Sequence, residues 1–135
     1  MTIGMFLLPF SFLRIWVLRC CGVKIGNGCY VGFNVMCDTN FPEMIQIGNH
    51  VTISHNTSIY THTITPCKCY LREMYRHIKK VKIGNGAWVG ANCTILPGTA
   101  IGSNSMVGAG SVVSCDTQSY YLYAGNPCKK IKKLR

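Results

Sequence analysis

Between residues 81 and 113 the apolar positions of this chain recur every six residues. Ile83, Val89, Ile95, Ile101, Val107 and Val113 hold the spacing, and Val81, Ala87, Cys93, Thr99, Ser105 and Ser111 stand two residues before each. Gly84, Gly90, Gly102 and Gly108 follow four of the six aliphatics. A helix would place apolar residues at i, i+3, i+4 and i+7, and a flat strand would alternate throughout. One large and one small inward site per six residues instead predicts short strands joined by tight corners. Gly and Asn between them suit the corners because they tolerate positive φ. A fixed period of this kind signals a repeat architecture and overrides local helix or strand preference.

The pattern begins earlier, with Val23 and Ile25, Cys29 and Val31, Val35 and Cys37. It then slips, because Cys37 to Ile47 is not a multiple of six, so an insertion or loose corner is expected at 38–43. It returns with Ile45 and Ile47, Val51 and Ile53, Thr57 and Ile59. Residues 60–80 interrupt it again: Thr65, Leu71 and His77 make no inward pattern, so this segment is read as an extruded loop. Long loops in compact domains usually carry function. Arg72, Arg76, Lys79, Lys80 and Lys82 make it basic.

Three six-residue units close one coil, so the register predicts about four coils, roughly 19 Å tall at the usual strand spacing. So short a stack has a narrow core and two ends to cover, and self-association is expected. Residues 1–22 are apolar with basic punctuation. The run before Arg14 is too short to span a bilayer, and no clear small-x-small cleavage site precedes the repeats. Pro9 suits a helix start, Phe12, Ile15, Trp16 and Arg19 follow at helical spacing, and Gly22 is a natural stop. The segment is read as a helical cap over the open end. It also fits a membrane-surface anchor, with Phe6, Leu7, Leu8 and Trp16 in the interface. Residues 23–135 form the repeat domain. Its tail, 114–135, brings a turn, a tyrosine cluster and a basic stretch in which Ile131 and Leu134 suggest a short amphipathic helix.

At 135 residues the chain makes one domain. Fourteen Lys and Arg oppose four Asp and Glu, a net charge of +10, which favours anionic partners. No nucleic-acid-binding motif accompanies that charge, so nucleic acid is not expected. Nine cysteines are an odd number for a disulfide framework. Cys29 and Cys93 fall on small inward sites and Cys37 on an aliphatic one, where thiols pack as small hydrophobes. A reduced, cytoplasmic protein is the simplest account. Cys67 and Cys69, with His77 downstream, lack a fourth ligand and a usual zinc spacing, so no metal is expected.

The blocks IGNGAWVGANCTILPGTAIGSNSMVGAGSVV and YAGNPCKKI carry a resemblance. Over roughly 22–135 the chain resembles the hexapeptide-repeat acyltransferases, nearest to the sugar and capsular-polysaccharide O-acetyltransferases. The resemblance implies an all-β fold, a left-handed parallel β-helix of about four coils. It also implies a homotrimer, acetyl-CoA as co-substrate, and a saccharide acceptor in surface-polysaccharide or related synthesis, at the inner face of the membrane.

Acetyl transfer to a hydroxyl needs a base, an oxyanion donor and a groove for the acyl carrier. Histidine suits the base, and there are four: His50, His55, His62 and His77. The resemblance points to His62 in IYTHTI, where the coil gives way to the loop. Relatives often carry T-H-x-H there, whereas this chain has Ile64 at the second position. His50 and His55 read as corner residues, and His77 could reach a neighbouring subunit from the loop. Asp38 is expected to orient the base or receive the acceptor, or to form a turn. Asn34 resembles an acceptor-side position, although Asn is also a common corner residue. Trp88 points outward and is expected to line the pantetheine groove between subunits. Gly90, Gly108, Ala109 and Gly110 would let that arm approach the backbone. Asn126 and Pro127 would form the adenine end, with Lys129 and Lys130 facing the 3′-phosphate. The alternatives are a serine or amino-sugar acetyltransferase on the same scaffold, and a non-catalytic β-helix. G-x-G here opens no strand–helix unit and is not a dinucleotide fingerprint.

Overall fold

The computed structural model describes residues 8–63 and 77–135. After helix α1 (Ser11–Cys20) the chain winds through four coils of three short strands. The first holds β1 (Lys24–Ile25), β2 (Tyr30–Val31) and β3 (Met36–Cys37). The second holds β4 (Ile45–Ile47), β5 (Thr52–Ile53) and β6 (Ser58–Ile59). The third holds β7 (Val81–Ile83), β8 (Trp88–Val89) and β9 (Thr94–Ile95). The fourth holds β10 (Ala100–Ile101), β11 (Met106–Val107) and β12 (Val112–Val113). Equivalent strands stack in parallel into three sheets, β1-β4-β7-β10, β2-β5-β8-β11 and β3-β6-β9-β12. This is the left-handed parallel β-helix that the resemblance implies.

The six-residue period is the inside of the coil. Ile83, Val89, Ile95, Ile101, Val107 and Val113 are all buried, as are their small partners Val81, Ala87, Cys93, Thr99, Ser105 and Ser111. A buried hydroxyl needs a partner, and each of the last three finds one three residues back or across the coil. Thr99 Oγ1 donates to Leu96 O at 2.9 Å, and Ser111 Oγ to Gly108 O at 2.6 Å. The corners between the second and third sheets stack Asn34, Asn56, Asn92 and Gly110, all left-handed at φ 53°, 59°, 56° and 72°.

The corner between the third and first sheets is irregular. Lys82 pairs with Ala100, a regular coil apart. From the first coil to the second the offset is 22 residues, and from the second to the third it is 36. The extra residues lie at 38–44, which includes a 3-10 turn at Pro42–Met44, and in 60–80. The feet of the second insertion are pinned. His62 bridges Ile78 in antiparallel fashion, and Lys79 N–H donates to Thr61 O at 2.8 Å. Residues 64–76, most of the expected extruded loop with Thr65, Cys67, Cys69 and Leu71, lie outside the described part.

An open coil end leaves strand N–H and C=O groups without a neighbouring strand, and such groups need other partners. At the first coil α1 supplies them. Ser11 Oγ accepts from Val31 N–H at 2.9 Å, Arg14 Nε donates to Val31 O at 2.9 Å, and Arg19 donates to Ile25 O and Gly26 O. Ile15 and Leu18 are buried on the coil, each contributing about 1.5–3 kcal/mol of apolar burial. Arg14 is buried too, with its guanidinium 4.4 Å from the Phe33 ring centroid and Nη1 bonded to Leu8 O. The expected stripe therefore splits: Ile15 turns inward, while Phe12 and Trp16 face out. The expected stop holds, as Gly22 takes φ 107°.

The other end departs from the expected C-terminal helix. Residues 114–135 form a hairpin, β13 (Tyr121–Ala124) and β14 (Lys129–Lys133). β13 adds to the second sheet, pairing Leu122 with Met106, and β14 returns antiparallel to it. Four lysines crowded on a short helix would repel at i,i+3 and i,i+4. On an edge strand they stay solvated and discourage further pairing. The tyrosines of 120–123 favour a strand as well.

Candidate active site

Chemistry-bearing side chains meet at the irregular corner. Asp38 follows β3 directly, and its backbone N–H still donates to Ile59 O at 2.9 Å, so its position is fixed by the ladder. Its side chain is 2% exposed. Oδ1 accepts from Asn40 N–H at 3.0 Å. Oδ2 accepts from Thr61 N–H at 2.9 Å, from Thr61 Oγ1–H at 2.8 Å, and from Nδ1 of His62. Burial works to raise the pKa of this carboxyl. The bonds from Thr61, His62 and Asn40 outweigh it and bring the value down to about 2. Asp38 is therefore ionised at neutral pH, and its oxygens are occupied by the protein itself.

His62 sits at the foot of the loop, with its side chain 15% exposed. With Asp38 ionised, Nδ1 carries the hydrogen and donates, which leaves the lone pair on Nε2. Asn40 Nδ2 lies 3.2 Å from Nε2 as its donor. Phe41 packs edge-on to the imidazole, ring centroids 5.4 Å apart. The ring is held in one tautomer and one orientation, with Nε2 toward the exposed side.

This pair borders a cavity of about 390 Å³. Asn34, Asp38, Asn40 and His62 give it polar groups, and Leu18, Val35, Cys37 and Ile59 are among its apolar lining. Asn34 thus reaches the same cavity, although it is also a left-handed corner residue whose Nδ2 donates to Asn56 Oδ1 at 3.0 Å. The Cys37 thiol is pushed up to about 12 by burial and by the neighbouring Asp38 carboxylate, with Cys21 adding to the effect, so it is no thiolate nucleophile near neutrality.

The other expected site residues lie elsewhere on the chain. Trp88 stands on the outer face of the second sheet, 50% exposed, between Thr52 and Met106. Gly90, Gly108, Ala109 and Gly110 form the corner beside it. A Cβ on Gly90 would lie 2.6 Å from Ala109 N, and one on Gly110 would meet nothing within 4 Å. Asn126 and Pro127 occupy the turn of the C-terminal hairpin. Lys129 is exposed, whereas Lys130 Nζ rests 3.7 Å over the Tyr121 ring and donates to Gln118 Oε1 at 2.7 Å. None of these borders the His62 cavity. His50 and His55 lie on regular corners, His50 at φ 56° and His55 stacked on Phe33. His77 is exposed at the second foot of the loop. Among the described residues no three His, Cys, Asp or Glu side chains converge as a metal site.

Asn40, Thr61 and Phe41 were not singled out in the sequence. A signal for Asn40 exists: the 22-residue offset between the first two coils sets it directly beside His62.

Residues 80–115 match the family described as bacterial transferase hexapeptide (six repeats). YvoF of Bacillus subtilis (strain 168), whose name gives it as a candidate acetyltransferase, is 38% identical over 91% of this chain and 68% of its own length. The galactoside O-acetyltransferase of Lactococcus lactis subsp. lactis (strain IL1403) is 36% identical over 83% of this chain. The chain spans 53% of that relative, so its correspondence is with about half of the longer protein. Among solved structures, a maltose O-acetyltransferase from Clostridium difficile 630 superposes with a TM-score of 0.71 at 30% identity, covering 95% of this chain and 79% of the other. A galactoside acetyltransferase in complex with coenzyme A gives 0.66 at 25% identity, covering 95% and 74%. Repeat register, coil architecture and these likenesses agree: the chain belongs to the hexapeptide-repeat acetyltransferase family.

Proposed function

We propose that this chain transfers an acetyl group from acetyl-CoA to a hydroxyl of a sugar or saccharide, with His62 as general base. The observation that carries the reading is the fixed imidazole, with Nδ1 held by the ionised Asp38 and Nε2 left with its lone pair. Nε2 takes the proton of the acceptor hydroxyl as that oxygen attacks the thioester carbonyl. The tetrahedral intermediate collapses by breaking the carbon–sulfur bond, and the imidazolium returns its proton to the departing thiolate. Asp38 stabilises the imidazolium between these steps without taking a proton itself, as its low pKa requires. Asn40 holds Nε2 until the acceptor hydroxyl replaces its amide.

The cofactor is supported by the neighbour solved with coenzyme A and the acceptor class by the galactoside and maltose enzymes. Trp88, Gly90, Gly108, Ala109 and Gly110, with the hairpin turn at Asn126 and Pro127, serve as the cofactor groove. They lie apart from His62 on one subunit, so a homotrimer completes the site by bringing one copy's groove to another's cavity. Free thiols at Cys20, Cys29, Cys37, Cys93, Cys115 and Cys128 fit a reducing, cytoplasmic setting, and residues 1–22 are the part of the chain suited to meet a membrane.

The test is release of free coenzyme A from acetyl-CoA with a panel of sugars, nucleotide sugars and serine, for wild type and His62→Ala. A loss of about 10²–10⁴-fold is expected, with coenzyme A binding retained. Turnover that survives the substitution would remove His62 from the chemistry.

A further inference from the structure

Helix α1 is apolar on both of its faces. Ile15 and Leu18 serve the coil, but Phe12 and Trp16 point away from it, 65% and 64% exposed, and Phe10 just before the helix is 58% exposed. The Phe10 and Phe12 rings stack at 5.6 Å. Phe12, Trp16 and Arg19 follow at i, i+4 and i+7, one stripe along the outer surface. An open groove of about 660 Å³ runs between that stripe and the corner at 26–29. Aromatic side chains grouped at this exposure mark an interaction surface.

The charge around the stripe is of one sign. Asp38 is the first acidic residue of the chain, so no carboxylate occurs in the preceding 37 residues, while Arg19 and Lys24 are exposed there. Lys24 and Lys82 lie on the same outer face of the first sheet, one above and one below Gln46. Two copies meeting through this face would bring like charges together. A surface that is apolar and negative would not, and an anionic lipid bilayer has both properties.

We propose that the outer face of α1 docks on an anionic membrane surface, with Phe10, Phe12 and Trp16 entering the interfacial layer and Arg19 and Lys24 facing lipid phosphates. Among the described residues no helix is long and apolar enough to cross a membrane, so the contact is peripheral. The inner side of the same helix lines the His62 cavity through Leu18, with Cys21 just past its end. Docking therefore sets that cavity about one helix diameter, roughly 10–12 Å, from the lipid surface.

Flotation with vesicles of phosphatidylcholine, with and without phosphatidylglycerol, tests this on the full chain. Wild type is expected to float with the anionic vesicles only, and less so as salt rises. The double substitution Phe12→Ser and Trp16→Ser should weaken flotation by tenfold or more, with melting temperature and turnover of a soluble acceptor unchanged. If the double variant melts early, Phe10→Ser carries the test, with a smaller loss expected. No binding to anionic vesicles, or equal binding by the variants, overturns the proposal. So does a change of oligomeric state in a folded variant, which would make the face a contact between copies.

Discussion

The corner between the second and third sheets and the corner between the third and first are turned by the same chain under the same coil, and they differ in every other respect. The former repeats four times with a left-handed Asn or Gly, and Asn34 and Asn56 ladder to each other. The latter is regular only in the third coil. In the first two it carries inserted residues, and there Asp38, Asn40, Thr61 and His62 converge. A repeating corner spends its polar groups on the next repeat. A broken corner has side chains to direct elsewhere, while the ladder below and above still fixes their backbones. In this molecule the periodic part builds the coil, and the interruptions gather the side chains of the proposed catalytic site.

That contrast is sharpest at Asp38. Asp38→Asn removes the charge that selects the His62 tautomer, and a fall in kcat of up to about 10⁴-fold is expected, with KM for acetyl-CoA little changed. The same substitution tests stability. The folded pKa lies below the usual carboxylate value, about 2 against 3.8. The stability it contributes is therefore present above about pH 4 and is lost as pH falls toward 2. Acid unfolding of the Asn variant should lack that step. An unchanged kcat would reduce Asp38 to a turn residue.

The regular corner should fail differently. Gly90→Ala forces a Cβ against the Ala109 backbone and should destabilise the fold by about 1–3 kcal/mol, seen as a lower melting temperature. Gly110→Asn should be nearly neutral, since nothing lies within 4 Å of a new Cβ and Asn fills the equivalent corner in the other three coils. The second result also separates two reasons for the glycine. If KM for acetyl-CoA rises while stability holds, Gly110 is there for the cofactor, and if neither moves, it is there for the turn.

The coil was legible because a hexad period depends only on which residues face inward, and every inward site from 81 to 113 is buried as read. The meeting of His62 with Asp38 was legible because both stand where the period breaks. Asn40 was missed because a polar residue in an irregular corner has no pattern of its own, and only the measured offset of 22 shows what it faces. The tail was misread because Ile131 and Leu134 satisfy a helical spacing by chance. Strand pairing with β11 through β13, a contact distant in sequence, decided its structure. α1 was located correctly, but its inner and outer faces were not separable, since apolar residues occupy both.

The proposed function needs two half-sites that one chain carries apart, His62 with Asp38 at one place and Trp88 with its glycine corner at another. Complementation tests this most directly. His62→Ala and Trp88→Ala are each prepared, denatured together, refolded as mixed oligomers, and assayed at acetyl-CoA below the wild-type KM. If each site takes its base from one copy and its groove from the next, random mixing in a trimer leaves about a quarter of the sites intact. The predicted result is activity near that fraction of wild type, well above either variant alone. Activity that stays at the mean of the two parents would contradict the account and place both halves of the site on a single chain.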